Sequence, residues 1–150
     1  MSIALEYVTT ITVHLDAQHV IGQTTKGLRR VSPILGGTVA GPRLNGEVLA
    51  GGADWNLALA DGSIEFYARY TLRAHDGTLI SVVNEGIERR VMAKLFAGEA
   101  PDFSVPMYGR TIPRFEVAPG PHEWLMHSLF VAELSLGGPN RAVLSVHEVV

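Results

Sequence analysis

Asp54, Arg69 and Asn84 are the side chains in this sequence best suited to act together. A guanidinium set between a carboxylate and an amide can hold the carboxylate bidentately and still offer donors to a ligand carboxylate, enolate or phenolate. Such a cation stabilises an oxyanion as it develops. Glu85 is a second candidate acid or base, because a carboxyl beside Trp55 and Val83 in a poorly hydrated cavity would hold its proton more tightly. Tyr108 and Arg110 stand two apart and point the same way on an extended segment. A phenol and a guanidinium at a pocket mouth would suit an anionic or enolisable ligand. Asp54, Arg69, Glu85, Tyr108 and Arg110 are therefore the expected catalytic residues. Trp55, Tyr67, Tyr70, Asn84, Trp124 and Met126 are the expected substrate contacts, aromatic walls with phenolic donors at their ends.

Each group also has an ordinary structural reading. Asp54 and Arg69 could form a solvated cross-strand ion pair worth about 1 kcal/mol or less. Glu85 could sit at a rim and reach water or Arg110, and the aromatic residues could simply fill a small barrel. Other chemistries have less support. The six histidines form no His-x-His or HExxH pattern, His122 and His127 fall on opposite sides of an extended strand, and there are no cysteines. No metal site and no cofactor are expected. Gly36, Gly37 and Gly41 make neither a dinucleotide fingerprint nor a phosphate loop, and GxSxG is absent. The net charge of -3 and the lack of a Lys/Arg run disfavour nucleic acid and an electrostatic membrane anchor. No apolar segment is long enough for a membrane helix, and Glu6, Thr9, Thr10 and Thr12 interrupt any signal-like block. A cytoplasmic protein is expected, with residues 1–150 as one domain.

The elements that must position these residues read as strands. Apolar and polar residues alternate from Leu5 to Asp16, and similar runs recur over 28–40, 47–60, 63–75, 78–87, 109–117, 123–136 and 141–150. Gly, Pro, Asn and Asp separate them, which indicates an all-β domain. An antiparallel barrel is favoured because closure removes exposed edges. Within GIERRVMAKLFAG, Ile87, Val91 and Leu95 recur at i, i+4 and i+8 and predict one short helix. Met92, Leu95, Phe96, Phe103 and Met107 could then form an apolar lid with the proline-containing loop after it.

Asp61-Gly62 and Asp76-Gly77 are dipeptides that favour two-residue hairpin loops. Loops of that length set Asp54 beside Arg69, and Arg69 beside Asn84. They also set Trp55, Ala68 and Glu85 in one row of the more apolar face.

The stretches GGTVAGPRLNGEVLAGGADW, DGSIEFYARYTLRAHDGTLISVVNEG, YGRTIPRFE and EWL resemble the bacterial family called domain of unknown function 3237, over about Gly27 to Val131. The resemblance implies a compact barrel of the lipocalin-like or allene-oxide-cyclase-like kind, without a settled activity. Family members usually read tyrosine, any residue, tryptophan, leucine, asparagine where this chain has His122, Glu123, Trp124, Leu125 and Met126, which would leave the pocket more apolar. The leading expectation is a barrel that binds a small apolar or aromatic organic molecule and assists a cofactor-free isomerisation, cyclisation or lyase step. The alternatives are a non-catalytic carrier or sensor, or a homo-oligomeric module joined through a sheet face or the strand RAVLSVHEVV.

Overall fold

Period-two alternation is clearest in IEFYARYTLRA, where Ile64, Phe66, Ala68, Tyr70, Leu72 and Ala74 alternate with mostly polar residues. In the computed structural model, which describes residues 2–89 and 107–150, this segment is a strand with that apolar row turned inward. The described strands are β1 (Leu5–Leu15), β2 (His19–Gln23), β3 (Leu28–Ala40), β4 (Gly46–Val48) and β5 (Ala53–Ala58). They continue with β6 (Ile64–Ala74), β7 (Leu79–Glu88), β8 (Gly109–Glu116), β9 (Leu129–Leu136) and β10 (Arg141–Val149). All pairings among them are antiparallel.

Two staves are each built from two strands. β1 and β2 both pair with β3, while β4 and β5 both lie between β3 and β6. The second break falls at Gly51-Gly52. Gly51 has φ 110°, and a Cβ on Gly52 would lie 2.4 Å from the Arg69 carbonyl oxygen, so both positions require glycine. Pairing of β1 with both β10 and β3 closes the sheet into a barrel of eight staves among the described residues. Both edges of β10 are thus used within the barrel, and only its outer face remains for contact with another copy.

The barrel has a filled half and a hollow half. In the filled half Ile11, Val39, Val48, Leu72, Ile80, Val82, Phe115, Phe130 and Val146 make a continuous buried core. Phe115 and Phe130 meet edge to face at 5.2 Å. A 3-10 turn over Glu123–Met126 caps this end with Leu125 and Trp124. That turn replaces the beginning of the strand expected over 123–136. His122 Nε2 bonds Asp76 Oδ2 at 2.9 Å, tying the cap to the β6–β7 turn. The backbone N–H of Thr78 and then His122 hold the Asp76 carboxyl down at about 2.

The expected helix begins too early. Gly86, Ile87 and Glu88 belong to β7, where Ile87 pairs with Glu65 and Arg110. Strand pairing on both sides satisfies their backbone groups. Val91, Met92, Leu95, Phe96 and Phe103 lie outside the described residues. Met107 is half-buried against the core. No helix among the described residues is long and apolar enough to cross a membrane.

Candidate functional site

Both hairpin loops hold three residues rather than two. Leu59 N–H donates to Ser63 O at 2.8 Å and Gly62 N–H to Leu59 O at 3.0 Å. Ala74 N–H to Thr78 O and Gly77 N–H to Ala74 O repeat the pattern. Gly62 at φ 87° and Gly77 at φ 89° supply the single left-handed residue that such a loop needs. Asp61 and Asp76 do not take the first left-handed position of a two-residue loop. Their carboxylates accept the N–H groups of Ser63 and Thr78 instead.

Each added residue moves the register by one, and the expected constellation comes apart. Arg69 faces Ala53 and Val83 and its side chain is exposed on the outside. Asp54 pairs with Ala68, and Ala68 with Asn84. The two shifts cancel between β5 and β7, so Asp54 and Asn84 still share a row, now inside the barrel with alanine between them.

The same parity turns Trp55, Tyr67 and Glu85 outward. With Arg29, Glu65 and Phe66 they border a shallow outer cleft, and the Trp55 and Tyr67 rings lie 6.4 Å apart. Glu85, between Tyr67 and Ile112 in register, is exposed and lies outside the cavity expected to hold it. Arg110 is also exposed. It donates to Gly109 O at 2.9 Å and approaches Glu133 at 4.0 Å. Its guanidinium lies 4.7 Å from the Tyr108 ring centre and that of Arg89 3.8 Å, so Tyr108 packs with cations outside the cavity. Trp124 packs on Phe130 and beneath Arg43 at the filled end. Met126 is exposed there, its sulfur accepting the Val117 N–H. None of residues 122–126 lines the inner cavity, so the expected effect of that departure on the pocket is not seen.

The hollow half is a cavity of about 790 Å³. Val13, Leu15, Ile34, Phe66, Leu134 and Leu144 make its apolar wall, while Asp16, Gly138, Pro139, Asn140 and Arg141 come from strand ends and connections at its mouth. It exists because small or polar residues occupy inward positions that carry Leu72, Ile80 and Phe115 farther along the same strands. Ala68, Asn84, Thr111 and Ala142 take that part here.

Asp54 is the ionisable centre of this half. Its Oδ1 accepts the Tyr67 N–H at 3.0 Å and its Oδ2 faces Asn56 Nδ2 at 3.5 Å. Asn56 also donates to Ser32 Oγ at 3.2 Å, which Gln18 Nε2 reaches at 3.1 Å. Burial raises the Asp54 carboxyl to about 6, against the opposing pull of the Tyr67 N–H, Asn56 and the Arg29 charge. Asp54 is only partly exposed and is one of the lining residues of the cavity. Tyr70 is raised too, first by burial and then by the negative charge of Asp54.

Four buried polar atoms near this row have no hydrogen-bond partner among the described residues: Asn56 Oδ1, Tyr70 Oη, Asn84 Oδ1 and Thr111 Oγ1. Each such atom costs about 1–3 kcal/mol when left unpaired. They are grouped around one carboxylate, and their polar needs are not met by the described residues.

Of the expected site residues, Asp54, Tyr70 and Asn84 line the cavity. Ser32, Asn56 and Thr111 join them and were missed. The signal was present in β5, where Asp54 and Asn56 alternate with Trp55 and Leu57, but polar residues of one parity ordinarily mark the solvent face. Among the described residues no group of three or more His, Cys, Asp and Glu could hold a metal ion.

Comparison with known proteins places this architecture. The family model described as "Protein of unknown function (DUF3237)" matches residues 3–149. A UPF0311 protein of Rhodopseudomonas palustris is 38% identical over 148 residues, covering 97% of this chain and 95% of its own. A crystal structure of a conserved protein from that organism superposes with a TM-score of 0.90 at 37% identity, covering 100% of this chain and 99% of its own. A beta-barrel like protein from Acinetobacter baumannii gives 0.87 at 28% identity, covering 100% and 98%. An enzyme from Penicillium herquei shares the fold at 18% identity with a TM-score of 0.73, covering 100% and 96%. With a match across nearly its whole length and a shared closed barrel, the chain belongs to the DUF3237 family.

Proposed function

We propose that this barrel encloses a small, largely apolar organic molecule in its hollow half, and that Asp54 moves a proton on it without a cofactor. An isomerisation, cyclisation or lyase step fits this arrangement. The observation that carries the reading is a carboxyl held at about 6 inside an apolar cavity of about 790 Å³. Near neutral pH such a group is mostly ionised, yet it holds a returned proton far better than an exposed aspartate does. That a fungal enzyme shares the fold agrees with chemistry in such a barrel without specifying it.

A non-catalytic carrier or sensor is the second reading. It is favoured by the outward placement of Arg69, Glu85 and Arg110, which leaves Asp54 as the one lining carboxylate inside the mouth among the described residues. Calorimetric titration with naphthalene tests the enclosure that both readings require. Saturable binding that Ala68→Phe abolishes is expected, whereas equal binding by a folded Ala68→Phe variant would refute the site. Turnover that disappears in Asp54→Asn while binding persists favours catalysis; turnover indifferent to that change contradicts it.

A further inference from the structure

The arrangement around Asp54, read as a proton-transfer cavity, narrows the substrate to one chemical class. The ionisable side chains lining the cavity among the described residues are Asp16, Asp54, Tyr70 and Arg141. Asp16 and Arg141 belong to the mouth, so among the described lining residues no cation stands level with Asp54. A ligand carboxylate or phosphate at that depth would be repelled at close range by the Asp54 carboxylate, the Arg29 charge reaching it only from the outer cleft. The reacting part of the ligand is therefore neutral.

Hydrogen-bond counting then defines what faces it. Asn56 Nδ2 has two hydrogens, directed to Ser32 Oγ and Asp54 Oδ2. Ser32 Oγ takes a second hydrogen from Gln18 Nε2. With two amide donors on its oxygen, the Ser32 hydroxyl has only its own hydrogen left to give. Tyr70 is one of the lining residues, and its buried Oη has no partner among the described residues. Tyr70 stands two residues along β6 from Ala68, the register partner of Asp54, which places it diagonally across the same inward face. One base thus stands beside two hydroxyl donors, with Ile34, Phe66, Leu134 and Leu144 forming apolar walls.

We propose that the site takes a neutral carbonyl compound with a hydrogen on the adjacent carbon, its oxygen towards Tyr70 and Ser32 and that hydrogen towards Asp54. The Asp54 carboxylate removes the proton. The C–H electron pair becomes a C=C bond, and the carbonyl π pair moves onto oxygen, where the two hydroxyls donate to the developing charge. Asp54 returns the proton to the same carbon, or to the far carbon of a neighbouring double bond to give an isomer. No oxidant or reductant enters, and one carboxyl serves as base and then acid.

The test is hydrogen–deuterium exchange of 2-tetralone in heavy water, followed by NMR, with binding titrated separately by calorimetry. The folded wild-type protein is expected to accelerate exchange next to the carbonyl. Asp54→Asn should lower the rate about 100-fold or more. Tyr70→Phe and Ser32→Ala should each lower it about tenfold or more with binding changed less than about threefold. The infrared carbonyl stretch of 2-tetralone bound to Asp54→Asn should fall below its value in hexane. Adding Tyr70→Phe should shrink that fall. If Tyr70→Phe does not fold, Ser32→Ala alone decides the donor role. Binding of 2-tetralone with no exchange above buffer, or binding of naphthalene but not 2-tetralone, overturns the substrate class and leaves the cavity reading intact. Failure of both molecules to bind overturns both. Exchange unchanged in Ser32→Ala and in folded Tyr70→Phe overturns the donor assignment.

Discussion

The two halves of the barrel use the same strands for opposite purposes. Along β6 the inward row runs from Phe66 and Ala68 beside the cavity to Leu72 and Ala74 in the filled half. Along β7 it runs from Asn84 to Val82 and Ile80. In the filled half each inward side chain finds apolar neighbours, and burial stabilises by about 25 cal/mol per Å² of apolar surface. In the hollow half, alanines leave space, four polar atoms lack partners among the described residues, and a carboxyl is held where its charge is disfavoured. Stability is concentrated at one end and given up at the other, a division expected where a protein keeps a binding site.

Substitutions can sharpen or break this contrast. Phe130→Ala in the filled half should show the largest effect, about 3–5 kcal/mol lost in chemical denaturation. A loss below about 1 kcal/mol would mean that this end is not the stabilising one. In the hollow half the sign reverses. The folded carboxyl of Asp54 titrates at about 6, above its ordinary 3.8. Its contribution to stability is therefore fully present below about pH 4 and lost as pH rises through 6. Asp54→Asn should raise stability by about 2 kcal/mol at pH 7 and abolish the difference from wild type near pH 4, read from denaturation at the two pH values. Equal stability at pH 7 would remove the case for a destabilised carboxylate.

A smaller change is expected at Ala68. Leucine there fills part of the cavity and should alter stability by about 1 kcal/mol or less, while lowering naphthalene affinity about tenfold or more. Arg69→Ala and Glu85→Gln, both on the outer surface, should stay within about 0.5 kcal/mol of wild type and leave ligand binding unchanged. A large loss of binding in either would return those residues to the site.

Much of the barrel was legible in the alternation alone. The runs at 5–16, 28–40, 63–75, 78–87, 109–117 and 141–150 correspond closely to β1, β3, β6, β7, β8 and β10. Short β2 escaped notice because His19, Val20 and Ile21 do not alternate with their neighbours. The site was less legible because it depends on register, and an Asp-Gly pair fits a two-residue loop or the end of a three-residue one. One residue of loop decided whether Arg69 or Ala68 stood beside Asp54. Asp54 and Asn84 survived together because two equal errors cancelled, and Glu85 failed because a single shift reversed its face. The hollow half also inverts the usual pattern, with polar Asp54 and Asn56 inside and Trp55 outside. Composition signals a cavity poorly when the cavity face looks like a solvent face.

Everything assigned to the hollow half depends on Asp54 being a sheltered carboxyl that a ligand can reach. Its side-chain carboxyl carbon, followed by NMR from pH 3 to 9 with and without saturating naphthalene, addresses this most directly. The account predicts a midpoint near 6 in the free protein and a higher one once an apolar ligand displaces the remaining water. A midpoint near 4, typical of a solvated aspartate and unmoved by naphthalene, would contradict it.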